Sequence, residues 1–247
     1  MERLMPRYKW GDIAPRGGSV QRGPGYQFYR IVPMDVMLVS TALGIRDYTQ
    51  ERVDEAIVNF WDRVDLLARE EVNHIILGGA PVSAQLGRAR VQSLLGDMEA
   101  KTGIPGDGPI EAVIAAMQRL GLRRIAVGSR WADELNARVR EYLEEGGLEV
   151  VGITERGQWA EQAFAMSFRD GLQTALDVGR EAMQLDPGVE AVWVAGGAAM
   201  ALHAIPALEA EFGKPVFTNL SAEVWHGLVH THVIDPVRDW GALLATP

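Results

Sequence analysis

The chain has 247 residues, 47% of them hydrophobic, a formal net charge of −9 and no cysteine. That length and apolar content suffice for a full buried core, and the acidic balance leaves no basic face to track nucleic-acid phosphates. The missing cysteines exclude disulfides, thiolate metal sites and a thiol nucleophile. No apolar run reaches the ~18 residues of a membrane span, and Met1-Glu2-Arg3-Leu4-Met5-Pro6 lacks the apolar core of a signal peptide. A cytoplasmic protein that engages neither nucleic acid nor membrane is therefore expected.

In chain order, hydrophobic periodicity predicts a strand over 34–40, a helix over 49–70, a strand over 74–78 and a helix over 83–101. A helix over 109–120, a strand over 124–128, a helix over 131–145 and a strand over 148–153 follow. A helix over 167–183, a strand over 191–195, a helix over 200–212, a strand over 215–218 and a helix over 221–229 complete the series. Strands alternating with helices through short connections specify an α/β fold, with parallel sheets covered on both faces. Gly121, Gly146-Gly147 and Gly213 follow helices as C-caps, and Pro109 suits a first helical turn. The stretch 15–25 is the one glycine-rich loop of note.

Two apolar runs end in glycine: Ile75-Ile76-Leu77-Gly78-Gly79-Ala80-Pro81 and Val192-Trp193-Val194-Ala195-Gly196-Gly197-Ala198. Each has the length of a buried parallel strand, and its glycines let backbone N–H groups approach a ligand at the start of the next helix. Two such ends half a chain apart suggest one site built by two halves. Neither continues into Gly-x-Gly-x-x-Gly, Ser83 does not lie in Gly-x-Ser-x-Gly, and no cofactor is expected.

Around these ends the chain resembles the aspartate/glutamate racemase superfamily, in its arylmalonate decarboxylase and maleate cis-trans isomerase branch. The likeness runs from Gly11-Asp12-Ile13-Ala14-Pro15 to Trp225. It implies two similar lobes related by a pseudo-two-fold axis, with the ligand cleft between them: a first lobe at 1–108, a second at 109–229, and a tail at 230–247 packing back on the first. It also implies a small-molecule carboxylate or carbonyl substrate. The family places catalytic cysteines at one or both strand ends, where this chain has Gly79 and Gly196. It places hydroxyls where this chain has Ala80 and Pro81, and a Tyr where this chain has Trp131, while Asn136 is retained. The resemblance thus implies a substrate cradle formed by Gly79, Ala80, Ser83, Ser129, Arg130, Trp131, Gly196, Gly197, Ala198 and Asn219. Arg130 reads equally well as a solvated residue at a helix start, and Trp131 as packing between lobes.

With no thiol, the proton chemistry needs other groups. Asp107, Glu111 and Glu223 follow strands that face one cleft, and paired carboxyls there can serve as general acid and base. The same residues also suit a turn (Asp107) and the first turns of helices (Glu111, Glu223). His226 and His230 have i, i+4 spacing, with His232 and Asp235 near, but without the Glu of a zinc-protease motif they read as surface or oligomer-contact histidines and no metal is assigned. The expected function is a cysteine-independent enzyme working through an enolate or oxyanion, nearest to a decarboxylase-like lyase. The alternatives are a hydrolase or hydratase using a Glu- or Asp-activated water, and a small-molecule-binding protein without catalysis. A homo-oligomer is compatible with the sequence.

Overall fold

The computed structural model describes residues 5–16, 22–158, 160–197 and 199–247, so Ala198, part of the glycine-rich loop and part of the N-terminal segment lie outside it. Among those residues two four-stranded parallel sheets share one strand order. The first runs β2 (Val36–Ala42), β1 (Tyr8–Ala14), β3 (His74–Leu77), β4 (Gly106–Asp107). The second runs β6 (Glu149–Ile153), β5 (Arg124–Gly128), β7 (Ala191–Val194), β8 (Val216–Thr218). Every residue of β3 and β7 is buried, as befits central parallel strands with helices on both faces. Both glycine ends therefore follow equivalent strands of equivalent sheets.

Some elements differ from expectation. β1, with Lys9 and Asp12 inside it, and the two-residue β4 carry too weak an apolar signal to be read, and α1 (Arg22–Ile31) rises out of the glycine-rich stretch. The helix expected over 49–70 is broken into α2 (Gln50–Ile57) and α3 (Phe60–Arg69), where Asn59 donates its side-chain amide to the Leu43 carbonyl. The helix expected over 83–101 starts earlier and divides at Gly87 into α4 (Ala80–Leu86) and α5 (Arg88–Thr102). α6 (Pro109–Arg119), α7 (Asp133–Glu145), α8 (Ala160–Ala165), α9 (Phe168–Gln184), α10 (Ile205–Phe212) and α11 (Asn219–Val224) complete the set.

α11 starts at the end of β8 in the second sheet yet packs against α6 and α1 over the first. Its continuation, a wide turn over Trp225–Val229, presses Gly227 onto the first sheet: a Cβ there would lie 2.5 Å from the Trp10 ring and 3.3 Å from His74 Nε2. Only glycine allows that approach. The C-terminal segment is tied down by Trp225 Nε1 donating to the Thr246 carbonyl, Arg7 Nη1 to that of Val233 and Trp240 Nε1 to that of Arg30. No helix among the described residues is long and apolar enough to cross a membrane.

Candidate active site

At the first strand end Gly79 has φ +94°, and a Cβ there would lie 2.4 Å from Pro15 Cγ. Its carbonyl accepts from the N–H groups of Val82 and Ser83, starting α4. Ala80 and Ser83 are fully buried, and the Ser83 hydroxyl lies 3.6 Å from where a Cβ of Gly108 would stand. These two residues build the wall behind the strand end.

At the second end, Asn219 is the clamp: its Oδ1 accepts from Gly196 N–H at 3.1 Å and from Trp193 Nε1 at 3.0 Å. The Gly197 backbone is exposed beside it. Gly196 has φ +98°, and a Cβ on it would lie 3.0 Å from Arg130 Nη2 and 3.2 Å from Nη1. The guanidinium thus fills the place toward which a side chain at position 196 would point.

Arg130 reaches that place because its own loop is locked. Ser129 N–H donates to Thr154 Oγ1, and Thr154 Oγ1 donates back to the Ser129 carbonyl. Ser129 Oγ donates to Asn136 Oδ1 and accepts from Trp131 N–H, while Asn136 Nδ2 donates to the carbonyls of Trp131 and Thr154. Ser129, expected as a substrate contact, is instead fully buried scaffold whose hydroxyl is engaged within the loop. Trp131 is also buried, its ring edge-to-face with Trp193 at 6.4 Å. Arg130 is not a solvated helix-start residue: it is 4% exposed, its Nε has no hydrogen-bond partner, and no carboxylate pairs with it among the described residues. Burial lowers its pKa to about 10, against the opposing field of Tyr48. Burying a guanidinium without a counter-ion is costly, so a negative charge placed beside it would be favoured.

Three ionisable residues that sequence reasoning missed join this region. Tyr48 is buried, and Gln85 of α4 donates to its carbonyl at 2.7 Å. Burial pushes its phenol up, while Arg130 and then Arg16 pull it down. Asp12, on β1, places Oδ1 2.9 Å from where a Cβ of Gly78 would stand and accepts from Ser40 Oγ on its other oxygen. Burial raises the Asp12 carboxyl to about 6. His74 is buried in a stack on Trp10, its Nε2 without a hydrogen-bond partner among the described residues, and burial lowers it to about 4. The register Ser40–Asp12–Ile76–Asp107 across the sheet was the available signal for the acid row, and it becomes visible only once β1 is recognised.

The expected carboxyls separate. Glu223 is held well above the ordinary carboxyl range, first by burial and then by Asp12 and Asp107. Asp107 is buried, accepts from Gly108 N–H, and bonds His226 Nδ1 through its other oxygen. Burial disfavours the His226 cation, but the bond and charge of Asp107 outweigh that and leave its pKa raised. Glu111 stands apart as the partner of Arg88, at 2.8 and 3.3 Å. That ion pair, rather than a free acid, is what the structure makes of it. His230 stacks on Trp225 and His226. Among the described residues no group of three or more His, Cys, Asp or Glu is arranged to hold a metal ion.

A family model for arylmalonate decarboxylase matches residues 20–242. The chain belongs to that family. The arylmalonate decarboxylase of Bordetella bronchiseptica is 26% identical over 215 residues, 87% of each chain. A glycine-to-cysteine variant of arylmalonate decarboxylase, solved in a sulfate-associated form, is 26% identical with a TM-score of 0.82, covering 96% of this chain and 99% of its own. The Nocardia farcinica maleate cis-trans isomerase, as a cysteine-to-serine variant with a covalently bound succinylcysteine intermediate, superposes with a TM-score of 0.83 at 17% identity, covering 97% and 99%. The α/β fold of two parallel sheets is thus the fold of both kinds of enzyme. This chain has no thiol anywhere, and a guanidinium faces its second strand end.

Proposed function

We propose that this chain is a cysteine-independent enzyme that binds a small carboxylate or carbonyl compound between its two glycine strand ends and works through an enolate, as a decarboxylase-like lyase. The observation that carries this reading is the buried Arg130 guanidinium against Gly196, its Nε without a hydrogen-bond partner and with no carboxylate paired to it among the described residues. Its Nη groups and the exposed Gly197 N–H supply donors to one carboxylate of a malonate-type substrate. The second carboxylate leaves as carbon dioxide, and its bonding electron pair stays on the α-carbon and spreads into the retained carboxylate. A donor set fixed in place before the charge develops is worth about 3–4 kcal/mol of barrier. Glu223, held well above the ordinary carboxyl range by burial, favours its protonated form and can serve as a local substitute for the thiol reservoir. The family relatives, decarboxylase and isomerase enzymes, support this class of reaction.

The test is incubation of the purified protein with arylmalonates, maleate, hydantoins and small amides or lactones. Carbon dioxide release from a malonate is the expected result. Turnover of amides or lactones alone would replace the lyase with a hydrolase. Tight binding without turnover would reduce the chain to a small-molecule-binding protein.

A further inference from the structure

Replacing a C–C bond by a C–H bond draws one proton from solvent at every turnover, so a buried acid that protonates carbon must be refilled each time. The helix that begins at Asn219 supplies a route. Asn219, Glu223 and His226 fall at i, i+4 and i+7 along α11 and the wide turn that continues it, and so form one stripe. Both ends of the stripe are pinned: Asn219 Oδ1 accepts from Gly196 N–H at the second strand end, and His226 Nδ1 bonds Asp107 on β4. Glu223 stands between them, its Cβ about 5–6 Å from that of each neighbour in the stripe. It also precedes Gly227 by four residues, and Gly227 lies on the Trp10 ring, so this helix face looks onto the row Asp12–Ile76–Asp107 of the first sheet. The His226–Asp107 pair spans the boundary with water: the His226 side chain is 34% exposed and that of Asp107 only 4%. Asp107 is itself fixed by Gly108 N–H on its other oxygen, and a carboxylate that holds Nδ1 leaves Nε2 to exchange the proton. Burial disfavours the His226 cation, but Asp107 and then Glu111 outweigh it. His74, beneath Gly227, is lowered by burial to about 4 and stays neutral beside the pair.

We propose that His226, oriented by Asp107, returns a proton to Glu223 after each turnover, so that this pair is the proton inlet of the site. This rests on the lyase reading with Glu223 as its acid. The step balances: the electron pair of the enolate and the carboxyl proton of Glu223 form the new C–H bond, leaving a carboxylate. The His226 cation then gives its Nε2 proton through water to that carboxylate, and the neutral ring takes a proton from solvent. Overall, a malonate dianion and one proton become carbon dioxide and a monocarboxylate.

The experiment follows carbon dioxide release from phenylmalonate after rapid mixing. Wild type is expected to release it steadily, without a burst. His226→Ala is expected to release one equivalent per site at the wild-type rate, from the proton already on Glu223, and then to slow about 100-fold or more. Added imidazole should speed the later turnovers and leave the first unchanged. Slowing that is uniform from the first turnover, or an unchanged steady rate, overturns the inlet while leaving the lyase intact. Glu223→Gln at the wild-type rate removes the acid that the inlet serves, and the inlet with it. A wild type that releases no carbon dioxide brings down the lyase reading itself. Should His226→Ala not fold, Asp107→Asn must show the same one-equivalent burst, since an amide still accepts from Gly108 N–H but does not hold the His226 cation; an absent burst overturns the proposal.

Discussion

The Arg130 guanidinium lies 3.0 Å from the point where a side chain at Gly196 would begin. A cysteine at 196 would therefore press on the arginine, which would have to give way by a few tenths of an ångström. Gly196→Cys alone is expected to cost about 1–3 kcal/mol, partly from its positive φ and partly from this contact. In an Arg130→Ala background the contact part vanishes, so the substitution should be less costly there. Chemical denaturation of the four proteins measures the coupling, and strictly additive effects would show that the two residues do not compete.

Arg130 should trade stability for affinity. Arg130→Met removes a buried charge with no counter-ion, so it is expected to stabilise the fold by about 1–3 kcal/mol. The same change should weaken malonate binding about tenfold or more, which calorimetry would read directly. A destabilised Arg130→Met would mean that the guanidinium serves the fold instead.

Asn219 is expected to matter through its carbonyl oxygen. Truncation to Ala leaves two buried donors, Gly196 N–H and Trp193 Nε1, without their acceptor. The expected loss is about 2–4 kcal/mol, accompanied by a shift in tryptophan emission. Asn219→Asp, which keeps both acceptor contacts, should recover most of the stability.

The acid row gives a pH signature with a definite sign. Asp12 is raised from 3.8 to about 6, so the folded state holds its proton more tightly and stability declines as pH rises from near 4 to near 6. Asp12→Asn, which mimics the protonated form, should match wild type near the bottom of that window and exceed it above. The roughly two-unit shift bounds the gain at about 3 kcal/mol. His74 works in the opposite direction: lowered to about 4, it stabilises above its ordinary pKa of 6.5, and that contribution is lost as pH falls between the two values. Thermal melts of Asp12→Asn and wild type across this range separate the two groups.

The two buried strands β3 and β7 were legible because a parallel strand covered on both faces is apolar throughout, and their terminal glycines pointed to the site. Arg130 was legible as a residue but not as an anchor, since its burial depends on a hydrogen-bonded knot among Ser129, Asn136 and Thr154 that only folding assembles. Asp12 was hidden inside a strand whose charges mask its periodicity, and its neighbours Ser40 and Asp107 come from strands far away in the chain. Tyr48 sits in a loop where no pattern marks function. Glu111 shows the converse: its place after a strand expected to face the cleft suggested catalysis, and Arg88, 23 positions earlier, pairs with it.

The helix that begins at Asn219 and ends against Trp10 also sets limits on how the cleft can move. From the residue clamping the second strand end to Gly227 is about two turns, on the order of 12 Å, and each end is seated on a different sheet. Swinging the lobes apart would peel Gly227 from the indole beneath it and expose the Trp10–His74 stack. One short segment is thus riveted to both sheets, and any motion of one sheet against the other must first break it at one end.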